Sequence, residues 1–259
     1  MRVGATTRTV TVGGTVPPRS DPYIEEFSHP DPVELFGHSF VGALRTSGVE
    51  VANFARERNV ASGGRHIHTV RTPITGVLPA ILLDSNNAVT DQLFYLVGER
   101  LGGSGTRSAS AKAIDHVLKC NGIDTASLAQ VDGSGLSRAT RGNARLFSST
   151  LRALNRESPK AWRVFLDFLP RAGQTGTLSR RMRGTAAEGV VRGKTGWISG
   201  ASALSGVVLN DAGEARLAFS ILVNYPRVGG LNTKAWKPMQ DAICAHLADA
   251  VRATKESVR

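Results

Sequence analysis

Three short stretches of this chain carry side chains whose types and spacing suit acyl chemistry. Lys194-Thr195-Gly196 places a cation, a hydroxyl and a residue without a side chain in a row, directly after the apolar pair Val190-Val191. On an edge strand that order suits an anionic peptide lying alongside. Lysine supplies charge, threonine a hydroxyl, and glycine lets the ligand backbone approach without meeting a Cβ. Asp84-Ser85-Asn86-Asn87 stands between two helix-like segments. Its residue types are those of a helix cap, yet the Ser85 hydroxyl and the Asn87 carboxamide also make a proton relay and a hydrogen-bonding group for a substrate amide. Both readings hold together. Asp132-Gly133-Ser134-Gly135-Leu136-Ser137-Arg138 forces a tight loop and reads as structural support, because Ser134 has no base beside it in sequence.

Taken in this order, with Leu169-Pro170-Arg171-Ala172-Gly173-Gln174-Thr175-Gly176-Thr177-Leu178 between the loop and the lysine, these stretches resemble the serine-type D-alanyl-D-alanine carboxypeptidases of the penicillin-binding protein 4 class. In that family a Ser-x-x-Lys, a Ser-x-Asn and a Lys-Thr-Gly line one active site. The resemblance covers about residues 9–245. It implies an α/β (α+β) penicillin-binding fold, an antiparallel sheet flanked by helices and incomplete at its N-terminus. It further implies an acyl-enzyme hydrolase acting on peptidoglycan stem peptides, with β-lactams as covalent inhibitors, no cofactor and a periplasmic or cell-envelope location. Carried over residue by residue, Ser85, Asn87 and Lys194 are the catalytic positions, and Thr195, Gly196 and Trp197 bind substrate.

Two departures matter. No serine has a lysine three residues on; the nearest approaches, Ser62 with Arg65, Ser104 with Arg107 and Ser149 with Arg152, put arginine in the base position, and arginine does not deprotonate in proteins. In the family the Ser-x-x-Lys precedes an inserted domain. The resemblance therefore implies that residues 1–20 are a remnant of that insertion and that 21–259 are the C-terminal part of the catalytic domain. The nucleophile and any secretory signal are then expected upstream, since residues 1–8 carry charge without an apolar run. The alternative is an inactive remnant that binds cell-wall peptides without acylation. The second departure is Trp197, where the family has threonine. Its backbone N–H still serves an oxyanion, but a hydroxyl for the substrate carboxylate is lost.

At 259 residues and 41% hydrophobic content the chain buries a substantial core, and no run of eighteen apolar residues reads as a membrane span. The net charge of +11 favours polyanionic surroundings. Nucleic acid is disfavoured, because the arginines are scattered and with 6% aromatic residues no stacking platform stands beside Arg180-Arg181-Met182-Arg183. His66 and His68 read as a solvent-facing pair and not a metal site, with no carboxylate or cysteine cluster near them. Cys120 and Cys244 read as small buried hydrophobes.

Periodicity and punctuation then place the elements. Strands are expected at residues 8–16 and 49–54, and strand-like alternation at 66–68. A loop is expected at 61–65. Helices are expected at 32–47, capped by Asp31 and ended by Gly48, and at 73–83, 88–101, 108–120, 144–155 and 162–169. Three strands, 190–194, 203–209 and 215–224, with a hairpin turn at Asn210-Asp211-Ala212-Gly213, precede a helix over 233–252. That last helix carries Trp236, Met239, Ile243, Leu247 and Val251 on one stripe.

Overall fold

A computed structural model describes residues 2–5, 10–18, 22, 29–57 and 65–256. The chain forms two compact units, Met1–Thr69 and Val70–Arg259. The contacts around the helix of the first unit close within residues 31–56.

In the first unit β1 (Arg2–Ala5) pairs antiparallel with β2 (Val10–Gly13), Arg2 opposite Gly13. Residues 8 and 9 of the expected strand lie outside the described residues, as do 61–64 of the expected loop. Helix α1 (Pro32–Thr46) starts where proline at the first position and an aspartate cap place it. The Asp31 carboxylate accepts from the N–H groups of Val33 (3.1 Å) and Glu34 (3.0 Å), and the Glu34 bond leads in holding the Asp31 carboxyl below its ordinary pKa. Gly48 leaves the helix at φ 81°. On α1 Val41 is buried, while Phe36 and Phe40 are exposed and stacked 5.9 Å apart. Residues 49–54 do not form a strand: the Arg45 guanidinium takes the carbonyls of Val51 (2.9 Å) and Ala52 (2.6 Å) that a ladder needs. His66 and His68 are also outside any strand.

The second unit opens with α2 (Ile74–Leu82), α3 (Asn87–Gly102) and α4 (Arg107–Cys120). Asn86 caps α3, accepting from the Val89 N–H at 3.0 Å, and Gly103 in the left-handed region ends it. Helices α3 and α4 approach closely at Gly98, where a Cβ would stand 2.3 Å from the Ser110 hydroxyl. After α5 (Ala144–Glu157), capped by Asn143, and α6 (Pro159–Phe168) come β3 (Val191–Ile198), β4 (Ala201–Leu209) and β5 (Ala215–Asn224). They form one antiparallel sheet in the order β3-β4-β5, with Lys194 opposite Ser205 and Gly193 opposite Gly206.

Because successive side chains of a strand point to opposite faces, β4 serves two cores. Leu204 and Val208 join Val191, Phe219, Leu178, Cys244 and Ala248 on one face. Val207 and Leu209 join Ile81, Leu82, Trp162, Leu166 and Leu169 on the other. Helix α7 (Lys237–Glu256) follows a π-helical turn over Asn232–Trp236, so the expected helix start is differently wound. Its buried line runs through Gln240, Cys244 and Ala248, and Ile243 of the expected stripe is exposed. The polar Gln240 is tolerated inside because it donates to Ser202 Oγ (3.2 Å) and accepts from Arg181 (3.0 Å). Arg181 in turn meets Asp241 at 2.7 Å. Cys244 is buried as expected; Cys120 is exposed on α4 near His116, since that face of the helix meets no partner core.

Candidate active site

Strand β3 is an edge of the sheet, and only its first half is covered. The Ala172 N–H donates to the Val191 carbonyl and the Gly193 N–H to the Pro170 carbonyl, both at 3.0 Å. Backbone groups alternate along a strand, so the N–H groups of Thr195 and Trp197 point to the same outer side as that of Gly193. There the covering segment has ended. The open stretch therefore begins at the Lys-Thr-Gly run, and β4, with Gly206 beneath Arg192, backs it. A Cβ on Gly206 would stand 2.1 Å from the Arg192 carbonyl oxygen.

The turn between α2 and α3 faces this edge. The N–H groups of Leu83 and Asp84 both reach the Pro79 carbonyl, and that of Asn86 reaches Ala80, which leaves Ser85 to take φ 59°. Such a value is rare for a residue with a Cβ and persists where surroundings hold it. The consequence is a contact between residues 109 apart in sequence: Lys194 Nζ donates to Ser85 Oγ at 2.5 Å. The same ammonium donates to the Thr195 carbonyl at 3.0 Å. Lys194 is half-buried, and burial lowers its pKa from the ordinary lysine value.

Thr195 Oγ1 donates to Thr177 Oγ1 at 2.9 Å. Thr177 lies on a 3-10 turn, Gly176–Leu178, in the stretch that covers β3. Gly176, at φ 56°, brings this turn against the end of α2, where an added Cβ would stand 3.0 Å from the Leu83 carbonyl oxygen. Thr177 thus joins the site although it is not among the candidate site residues; its sequence signal is its place in the 169–178 stretch that shares in the family resemblance.

Gly196 is exposed, with only Ala203 Cβ within reach of an added Cβ. Trp197 is 64% exposed, and its indole N–H donates to the Tyr225 hydroxyl at 3.1 Å. Tyr225 in turn lies 5.8 Å, ring to ring, from Trp236. An aromatic wall therefore borders the open edge. Asn87, the first residue of α3, is exposed and its side chain meets neither Ser85 nor Lys194; Asn86 beside it does the capping.

The Asp132 loop is a knot of hydrogen bonds. Asp91 accepts from the N–H groups of Gly133 (2.9 Å) and Ser134 (2.8 Å), and Asp132 accepts from Ser137 and Thr140. Ser134 bonds only to carboxylates, and Arg138 ties the loop to the Ser199 carbonyl at 2.8 Å. Among the described residues no three His, Cys, Asp or Glu side chains gather to hold a metal ion, and no helix is long and apolar enough to cross a membrane.

The profile of the D-Ala-D-Ala carboxypeptidase 3 (S13) family matches residues 1–249. A D-alanyl-D-alanine carboxypeptidase of Actinomadura sp. (strain R39) is 36% identical over 94% of this chain and 45% of its own length. Carboxypeptidase DacB of Mycolicibacterium smegmatis is 32% identical over 73% of this chain and 41% of its own length. Among solved structures, penicillin-binding protein 4 of Haemophilus influenzae in complex with a β-lactam aligns with a TM-score of 0.70 at 23% identity, covering 87% of this chain and 52% of that one. The chain spans about half the length of the curated relatives it matches.

Proposed function

Since this chain belongs to the D-Ala-D-Ala carboxypeptidase 3 (S13) family, we propose that it forms the Lys-Thr-Gly side of a serine-type D-Ala-D-Ala carboxypeptidase or endopeptidase site for peptidoglycan stem peptides. The attacking serine comes from polypeptide outside this chain, and the enzyme works in the cell envelope. Residues 1–20 are then the returning edge of an inserted domain. Lys194 and Ser85 carry protons to and from the acyl-transfer step, while Asn87 and the Thr195–Trp197 edge hold the peptide. One observation carries the reading: the 2.5 Å contact of Lys194 Nζ with Ser85 Oγ at the start of an open strand edge.

The test supplies the missing part in trans, as a separate polypeptide carrying the Ser-x-x-Lys portion of an S13 relative, and follows fluorescent penicillin. Covalent label on the added polypeptide should require this chain and be lost with Lys194→Ala. Label indifferent to that substitution overturns the proposal. A second reading, a groove that binds wall peptides without acylation, is favoured by the absence of any Ser-x-x-Lys from the sequence. It predicts salt-sensitive muropeptide binding with no label in the mixture.

A further inference from the structure

We propose that Trp197 makes this edge prefer peptides in which the D-alanine carbonyl continues as an amide bearing an aliphatic chain, over peptides that end in a free carboxylate. The inference rests on the reading of this edge as a stem-peptide site, and it narrows the kind of stem peptide taken.

Side chains two apart on a strand point to the same face, so Thr195 and Trp197 stand side by side on β3. The Thr195 proton goes to Thr177 Oγ1 at 2.9 Å, and the indole proton goes to the Tyr225 hydroxyl at 3.1 Å. Each side chain carries only one such proton. Neither has one free for a ligand. Two of the three ammonium protons of Lys194 are engaged as well, with Ser85 Oγ and the Thr195 carbonyl. A carboxylate set on this face brings two oxygens that only accept. It meets no hydroxyl donor from the strand, and oxygens taken from water without replacement bonds cost affinity.

What the face offers instead is carbon. Trp197 is 64% exposed although its donor is satisfied, so the surface it turns to solvent is apolar ring. That ring is held in place through Tyr225, whose N–H donates to the Gly200 carbonyl at 2.9 Å. Tyr225 also lies 5.8 Å, ring to ring, from Trp236, and the Trp236 indole N–H is buried without an acceptor. The wall therefore presents ring faces whose positions are already fixed, and a prearranged surface covers methylene groups with little ordering cost. With the Trp197 N–H at the D-alanine carbonyl, the group that follows that carbonyl lies beside the indole of the same residue.

The experiment titrates the folded chain with two probes and follows the backbone N–H signals of Thr195 and Trp197 by heteronuclear NMR. One probe is diacetyl-L-lysyl-D-alanyl-D-alanine, a free acid; the other is the butylamide of diacetyl-L-lysyl-D-alanine. We expect the butylamide to bind at least about fourfold more tightly, the gain from one buried methylene group. Trp197→Thr should erase or reverse that preference, and Trp197→Phe, which keeps a ring, should retain it. Equal or tighter binding of the acid by the wild-type chain overturns the inference, as does a preference that Trp197→Thr leaves unchanged. Those outcomes leave the stem-peptide reading standing. If neither probe moves either signal, the stem-peptide reading itself fails and takes this inference with it.

Discussion

Lys194 and Cys244 show how burial changes a side chain's chemistry in opposite senses. Burial lowers the pKa of the lysine, so between its folded value and the unfolded one the denatured chain binds more protons and stability rises with pH. The penalty of the charged form is full below the folded pKa and fades as pH rises toward 10.5. Lys194→Met is therefore expected to stabilise the protein at pH 7 by up to about 1 kcal/mol, with the gain shrinking at pH 10; urea melts at the two pH values measure it. The same substitution should abolish the proposed ligand binding. The Cys244 thiol is pushed up to about 12, first by burial and then by nearby Asp241. At pH 8 iodoacetamide should modify Cys120 alone in the native chain, and both cysteines once it is unfolded. Equal rates in the native state would show that the α7 face carrying Cys244 is not packed on the sheet.

The site is assembled by elements that touch where side chains are absent. Gly176 allows the covering loop to meet the end of α2, and a methyl group there faces both a left-handed φ and the Leu83 oxygen. Gly176→Ala should cost roughly 1–2 kcal/mol and weaken muropeptide binding, because the turn that presents Ser85 is the one displaced. Gly206→Ala pushes into the Arg192 carbonyl within the β3–β4 ladder and is expected to cost about 1–3 kcal/mol. Thermal melts rank the pair, and muropeptide binding separates a local shift from a general loss of fold. The caps of α1 and α3 are legible in the sequence, since a cap depends on residues within one turn of one another: Asp31 and the Asn86 position both act where the sequence places them. The strand over 49–54 was misread because an alternating pattern says nothing about a partner, and Arg45 consumes the carbonyls instead.

Among the described residues, the three hydrophobic clusters draw only on residues after Val70. A chain starting at Val70 is therefore expected to melt cooperatively within a few degrees of the full chain and to keep the Ser85–Lys194 contact. Calorimetry of the shortened chain, with muropeptide binding as the functional readout, tests this. Loss of cooperativity would mean that residues 1–69 are needed for the core of the second unit.

The sequence alone determined the elements that obey local rules, the three-stranded hairpin series with its C-terminal helix, and the residue types available for acyl chemistry. Periodicity, caps and turn residues act over a few positions, so they can be read without the fold. The tertiary structure decided which of those residues meet. It joined Ser85 to Lys194, brought in Thr177, left Asn87 in solvent, and turned Gln240 and Cys244 of α7 inward instead of Ile243. Each of these outcomes depends on a partner far away in the chain, and spacing along the sequence carries no information about that distance.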